Sequence, residues 1–130
     1  KILFLETVKK ELNLKNVTCI NTRAESLPVN YREYFDIVTS RAVAELRILC
    51  ELSIPYLKVG GKFIAMKGNP DEEIKMSTKI LASLDSKIMD TIKFNLPVEG
   101  SNRSLIVIEK EKVTNKIYPR SYDKIVKRVR

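Results

Sequence analysis

A chain of 130 residues that is 44% hydrophobic and 31% charged suits one globular domain with a core of its own and excludes a disordered or collagenous polypeptide. A formal net charge of +8 favours a polyanionic partner, and the lack of any histidine removes the usual catalytic triads and His-based metal sites. No apolar stretch approaches the roughly 18 residues that cross a bilayer, and no basic leader with an apolar region opens the chain, so a cytoplasmic protein is expected.

Leu5, Val8 and Leu12 recur at three-and-four spacing among Lys9, Lys10 and Glu11, which predicts an amphipathic helix packed on a sheet and ended by residues 13–16. The runs 17–21 (VTCIN) and 35–39 (FDIVT) are rich in branched residues. They predict two buried parallel strands, the second too apolar for a face open to water. Between residues 42 and 53, Val43, Leu46, Leu49 and Cys50 keep helical spacing, and Pro55 limits the helix. Gly60 and Gly61 predict a turn before a strand at 62–67, and Asn69, Pro70, Asp71 and Glu72 a loop feeding a helix that runs to about Leu84. Ile92, Phe94 and Leu96 alternate with polar residues, and a turn built on Pro97, Gly100 and Asn102 leads to the apolar run 105–108, a hairpin signature. The whole order predicts an α/β sheet whose last two strands are antiparallel.

Cys19 and Cys50 fall in a predicted strand and a predicted helix, far apart, so neither a CxxC motif nor a zinc pattern can be built and two free buried thiols are expected. From 110 to 130, Lys110, Lys112, Lys116, Arg120, Lys124, Lys127, Arg128 and Arg130 stand against Glu111 and Asp123. This marks 111–130 as a basic C-terminal segment. It reads either as a phosphate-tracking arm or as a solvated end, and the first reading gives affinity for nucleic acid that falls steeply with salt.

Residues 23–25 (RAE) and 35–42 (FDIVTSRA) follow or close predicted strands, at the edge where open α/β sheets bind ligands. Together with 57–63 (LKVGGKF), 65–68 (AMKG), 103–108 (RSLIVI) and 118–120 (YPR), in this order and spacing, they resemble the bacterial small-subunit ribosomal RNA guanine-N7 methyltransferases, once called glucose-inhibited division protein B. The resemblance covers essentially the whole chain. It implies a Rossmann-like α/β methyltransferase sheet with an antiparallel terminal hairpin and S-adenosylmethionine as methyl donor, with no metal. The implied partner and acceptor is small-subunit (16S) ribosomal RNA or its subunit precursor, methylated at a guanine N7. Because N7 keeps an unprotonated lone pair at neutral pH, no catalytic base is assigned.

The residues matching the family's cofactor site are Ala24, Glu25 and Arg41. Glu25 would accept a hydrogen bond from the exocyclic amine of adenine, and the bland alternative is a solvated loop acid. Arg41 would grip the cofactor carboxylate or a substrate phosphate, and the alternative is an ion pair with Glu45. Ser40 reads as a helix cap. Lys67 either meets RNA phosphate, lines a substrate pocket, or is an ordinary exposed lysine; Arg120 and Lys124 are further candidate RNA contacts. Tyr31, Tyr34 and Tyr118 could stack on a base, but charges flank each, and amphipathic covers over the core are the simpler reading.

The family's Gly-rich loop and ribose-gripping acid have no counterpart in the chain. Residues 1–130 are therefore expected to be the C-terminal part of a single methyltransferase domain without its first strand, Gly-rich loop and second strand, a weak cofactor binder alone. Its unpaired strand edges would favour self-association. Two competing readings are a non-catalytic RNA-binding module and an S-adenosylmethionine methyltransferase with another substrate.

Overall fold

The computed structural model describes residues 1–41 and 44–127. Strands β1 (Phe35–Arg41), β2 (Leu57–Lys67), β3 (Ser86–Asn95) and β4 (Asn102–Lys110) form one sheet in the order β1-β2-β4-β3. β1 and β2 are parallel, and both pairings of β4 are antiparallel, as the hairpin signature requires. Helix α1 (Ile2–Glu11) precedes the sheet, and α2 (Leu46–Ser53) crosses from β1 to β2. Helices α3 (Asp71–Met76) and α4 (Thr78–Ser83) lead into β3, and α5 (Tyr122–Val126) closes the described chain.

The core lies on one face of the sheet. Phe63 and Ala65 of β2 and Ile106 and Ile108 of β4 meet Leu46, Leu49 and Cys50 of α2 and Leu81 and Leu84 at the end of α4. Each fully buried aliphatic or aromatic side chain stabilises the fold by roughly 1.5–3 kcal/mol relative to exposure. The opposite face is open among the described residues, with Ile37, Met66, Ile92 and Phe94 exposed.

Several expectations are corrected. Residues 17–21 form no strand, and Val17 and Ile20 are exposed. Branched residues favour an extended backbone, but a strand exists only through a ladder, and no described segment pairs with these residues. Cys19 is consequently half-buried, while Cys50 is buried as expected, both thiols free. β1 is parallel as predicted, yet it is an edge strand, and its Ile37 is 59% exposed. α1 forms, but Leu3, Phe4, Leu5 and Leu12 are exposed and none of its residues is buried, because an apolar stripe fixes which face will pack and supplies no surface to pack on.

The Gly60-Gly61 pair is a bulge inside β2 and not a turn before it. Phe35 pairs with Leu57 but Ile37 with Lys62, so β2 spends extra residues against β1, and Gly60 takes a φ of +83° that only glycine adopts without strain. At Gly61 a Cβ would stand 2.8 Å from the Lys58 carbonyl oxygen and 3.0 Å from that of Asp36, so the bulge can close against β1 only without a side chain. The single helix predicted to reach Leu84 is broken at Ser77, whose hydroxyl donates back to the Glu73 carbonyl oxygen at 2.7 Å.

Candidate functional site

The C-terminal ends of β1 and β2 and the start of antiparallel β4 meet at one edge of the sheet. Ser104 stands near the start of β4 there, and its buried hydroxyl donates to the carbonyl oxygens of Gly68 at 3.0 Å and Lys67 at 3.3 Å. A cavity of about 710 Å³ sits at this edge, lined by Arg41, Met66, Lys67, Phe94, Glu99 and Arg103 among others. A smaller one of about 280 Å³ is lined by Ala24, Leu27, Thr39, Ser40 and Tyr56 among others. Consecutive residues of β1, Ser40 and Arg41, thus line separate cavities on the two faces of the sheet, with Ala24 and Arg41 near the same strand end.

Ala24 begins a short 3-10 turn, Ala24–Ser26, pinned by the Tyr56 hydroxyl, which donates to the Ala24 carbonyl oxygen at 2.7 Å. Burial pushes the Tyr56 phenol up, so it keeps the proton that makes this bond. Glu25 turns its carboxylate to Arg23 at 2.7 Å, and the Arg23 guanidinium lies 4.7 Å from the centre of the Tyr122 ring. Burial pushes the Glu25 carboxyl up, but the Arg23 hydrogen bond and a backbone N–H outweigh it and hold the group below the ordinary carboxylate value. Glu25 is therefore ionised at neutral pH and already partnered through one oxygen.

Arg41 is exposed and has no ion pair among the described residues; Glu45 instead meets Arg47 at 3.0 Å. Ser40 does not cap α2. It pairs with Ala65 inside β1, while the cap position is Glu45 and the backbone N–H of Leu46 donates to Glu73 of α3 at 2.9 Å. Ala42, quoted in the motif beside Arg41, and Val43, assigned to the following helix, lie outside the described residues.

Lys67 is not an ordinary exposed lysine. Its ammonium donates to the Ala44 carbonyl oxygen and lies 3.0 Å from the same Glu73 carboxylate that receives Leu46. It fastens the end of β2 to the start of α2, so although it lines the larger cavity its charge is compensated. Arg103 contributes the second guanidinium of that cavity and had no role assigned from sequence. The hairpin register would have located it: Arg103 pairs with Phe94, and both stand at the β4 start that lies beside the β2 end.

The C-terminal segment is clamped by buried charge. Glu51 of α2, 1% exposed, accepts from the Arg120 backbone N–H at 2.8 Å and from its guanidinium at 2.7 and 3.0 Å. Arg47 donates to the carbonyl oxygens of Ile125 and Val126 at 2.8 and 2.9 Å, and Arg32 donates to that of Tyr118. Lys110, fully buried at the end of β4, reaches the carbonyl oxygens of Ile54 and Leu57 at 3.0 and 2.8 Å and the Glu33 carboxylate. Burial lowers the Lys110 pKa even though Glu33 acts against the shift. Two of the cations read as a basic arm, Lys110 and Arg120, are therefore internal fasteners. Lys124 is exposed, while Arg128 and Arg130 lie outside the described residues. Tyr118 packs against the core as a cover would, whereas Tyr31, Tyr34 and Phe35 pack on one another with ring centres 4.9–5.8 Å apart and Tyr34 is exposed.

No helix among the described residues is long and apolar enough to cross a membrane. The sequence profile of GidB, described as rRNA small subunit methyltransferase G, matches residues 1–105. The chain is 46% identical over 123 residues to the ribosomal RNA small subunit methyltransferase G of Acetivibrio thermocellus, covering 93% of this chain and 51% of that protein. It is 48% identical over 120 residues to the protein of the same name from Desulfitobacterium hafniense, covering 90% and 50%. The chain thus spans about half the length of the curated relatives it matches. Among solved structures, M. jannaschii TYW2 in complex with AdoMet superposes with a TM-score of 0.61 at 16% identity, covering 84% of this chain and 53% of that one. An rRNA methylase from Streptococcus thermophilus gives 0.54 at 18% identity, covering 82% and 65%. At such identities the superpositions establish the fold, the Rossmann-like α/β sheet expected from the sequence.

Proposed function

This chain belongs to the family of rRNA small subunit methyltransferase G proteins, and we propose from that premise that residues 1–130 supply part of one methyltransferase domain that methylates a guanine N7 of small-subunit (16S) ribosomal RNA. The observation that carries the reading is Arg41: an exposed guanidinium without an ion pair among the described residues, at the C-terminal end of a parallel strand, lining a cavity of about 710 Å³. Open α/β sheets place ligands at this edge, and a planar guanidinium suits a carboxylate or a phosphate.

The residues present fit S-adenosylmethionine in part. Arg41 would hold its carboxylate, and the pinned Ala24 turn, with the small cavity beside it, would take an apolar or aromatic part. Glu25, ionised and held by Arg23, would offer its carboxylate to an exocyclic amine. The cofactor supplies an activated sulfonium methyl when bound. Guanine N7 already carries a free lone pair at neutral pH, so the chain's tasks are to bind, orient and exclude water, and a sequence without histidine is no obstacle. Arg103, in the same cavity as Arg41, suits a phosphate of the RNA, with Lys124 on the C-terminal segment as an outlying contact. A cytoplasmic location accompanies a ribosomal RNA substrate, and the open outer edge of β1 supports self-association of this chain when it is isolated.

Calorimetry with S-adenosylmethionine tests the reading, on this chain and on a chain extended to the length of its relatives. A charged hydrogen bond is worth about 1.5–3 kcal/mol, so Arg41→Ala should weaken binding by the extended chain by about 10- to 150-fold. Unchanged affinity would remove Arg41 from the site, and no binding by the extended parent would overturn the methyltransferase reading.

A further inference from the structure

A second recess lies on the helix-covered side of the sheet, between α4 and the clamped C-terminal segment. It measures about 640 Å³, and its lining includes Arg47, Lys75, Lys79, Arg120 and Lys127 against a single carboxylate, Glu51. Within it the two guanidiniums are spent: Arg120 on Glu51, and Arg47 on Glu45 and the carbonyl oxygens of Ile125 and Val126. The three ammoniums are not. Lys75, Lys79 and Lys127 are exposed and form no ion pair with any described residue. Met76, Ile80 and Tyr118 add apolar surface to the same lining.

Such a combination has a definite chemistry. Three uncompensated ammoniums repel one another, a cost that a polyanion relieves while releasing its counterions. Apolar surface does nothing for a bare phosphate but favours the face of an unstacked base. The volume falls within the roughly 300–1,000 Å³ of sites that enclose a small organic ligand. We propose that this groove binds single-stranded RNA, its backbone phosphates on Lys75, Lys79 and Lys127 and one unstacked base over Met76 and Ile80. The site rests on the reading that the partner is RNA. It shifts the contact from Arg120, which Glu51 occupies, to lysines of α3, α4 and the chain beyond α5. A ribosomal segment held here would be gripped at a distance from the reacting guanine, which leaves the strand-end cavity free for the base to be modified.

The test is fluorescence anisotropy with a labelled single-stranded RNA oligonucleotide of mixed sequence, titrated between 50 and 200 mM salt. The variant K75Q/K79Q/K127Q is compared with K9Q/K10Q/K87Q, which removes equal charge elsewhere. Each phosphate contact on a single strand contributes about 0.7 to the slope of log K against log salt, so the groove variant should lose about 2 from the slope and bind at least about tenfold more weakly. The control variant should stay near the parent, and the parent should prefer the single strand to a duplex of the same sequence by about tenfold or more. Equal slope losses in the two variants, an unchanged slope in the groove variant, or equal affinity for duplex would each overturn the groove while leaving RNA binding intact. No RNA binding by the parent would overturn the RNA reading itself.

Discussion

Removing the Arg120 side chain isolates what holds the C-terminal segment. In Arg120→Ala the Glu51 carboxylate, 1% exposed, keeps only the residue-120 backbone N–H as a donor and loses all three guanidinium hydrogen bonds. Breaking a buried ion pair by deleting one partner costs about 3–5 kcal/mol. The Arg120 side chain is 30% exposed, so water can reach part of the orphaned carboxylate, and the expected loss falls to about 2–3 kcal/mol. This is roughly 30- to 150-fold in the folded-to-unfolded ratio. Glu51→Gln keeps an acceptor for the backbone N–H and should cost less, about 1–2 kcal/mol. In the double variant no charge is left buried, so its loss should fall short of the sum of the two single losses. Urea unfolding followed by circular dichroism gives the energies, and amide exchange at Ile125, which donates to Ser121 at 3.0 Å, reports whether the segment is released first. A loss under about 0.5 kcal/mol for Arg120→Ala, with unchanged exchange at Ile125, would refute the clamp.

Two further outcomes follow from the same electrostatic and steric reasoning. Burial lowers the Lys110 pKa in the folded chain below the ordinary lysine value of 10.5, so between the two values the unfolded state binds more protons and stability rises with pH. That contribution is lost as pH falls through the folded value, and the pH dependence of unfolding measured as a difference between parent and Lys110→Met should show this rise; a flat difference up to pH 10.5 would sink the argument. Gly61→Ala places a Cβ 2.8 and 3.0 Å from two backbone oxygens, so either β1 or the bulge must move, at a cost of about 1–3 kcal/mol in chemical denaturation; a neutral substitution would show that the bulge can open freely.

Local patterns proved legible where they depended on neighbours close in sequence or on burial. The α2 spacing of Leu46, Leu49 and Cys50, the hairpin alternation around Ile92 and Phe94, and the antiparallel end of the sheet all appear in the structure. What escaped the sequence was pairing at long range. Residues 17–21 have strand composition but no ladder, and Gly60 and Gly61 look like a turn when read alone, because the bulge is defined only by the register against β1. At the candidate site, the strand-end position of Arg41 was legible, whereas Arg103 reaches the same cavity through hairpin register and Lys67 is drawn inward by Glu73, 3.0 Å away and on another element.

Net charge is the clearest case of a sequence property that folding sorts into unlike roles. Of the basic residues that make the chain +8, Lys67, Lys110 and Arg120 are consumed by Glu73, Glu33 and Glu51, and Arg32 and Arg47 by backbone carbonyl oxygens of the C-terminal segment. Those charges are fixed inside the fold and can attract a polyanion only weakly, since each is compensated within a few ångströms. Among the cations left to a partner, some are placed at cavities: Arg41 and Arg103 at the strand-end cavity, Lys75, Lys79 and Lys127 at the groove behind α4. Salt-dependent affinity should therefore follow the uncompensated cations, and neutralising a clamp residue such as Arg120 should alter stability far more than it alters the salt slope of RNA binding.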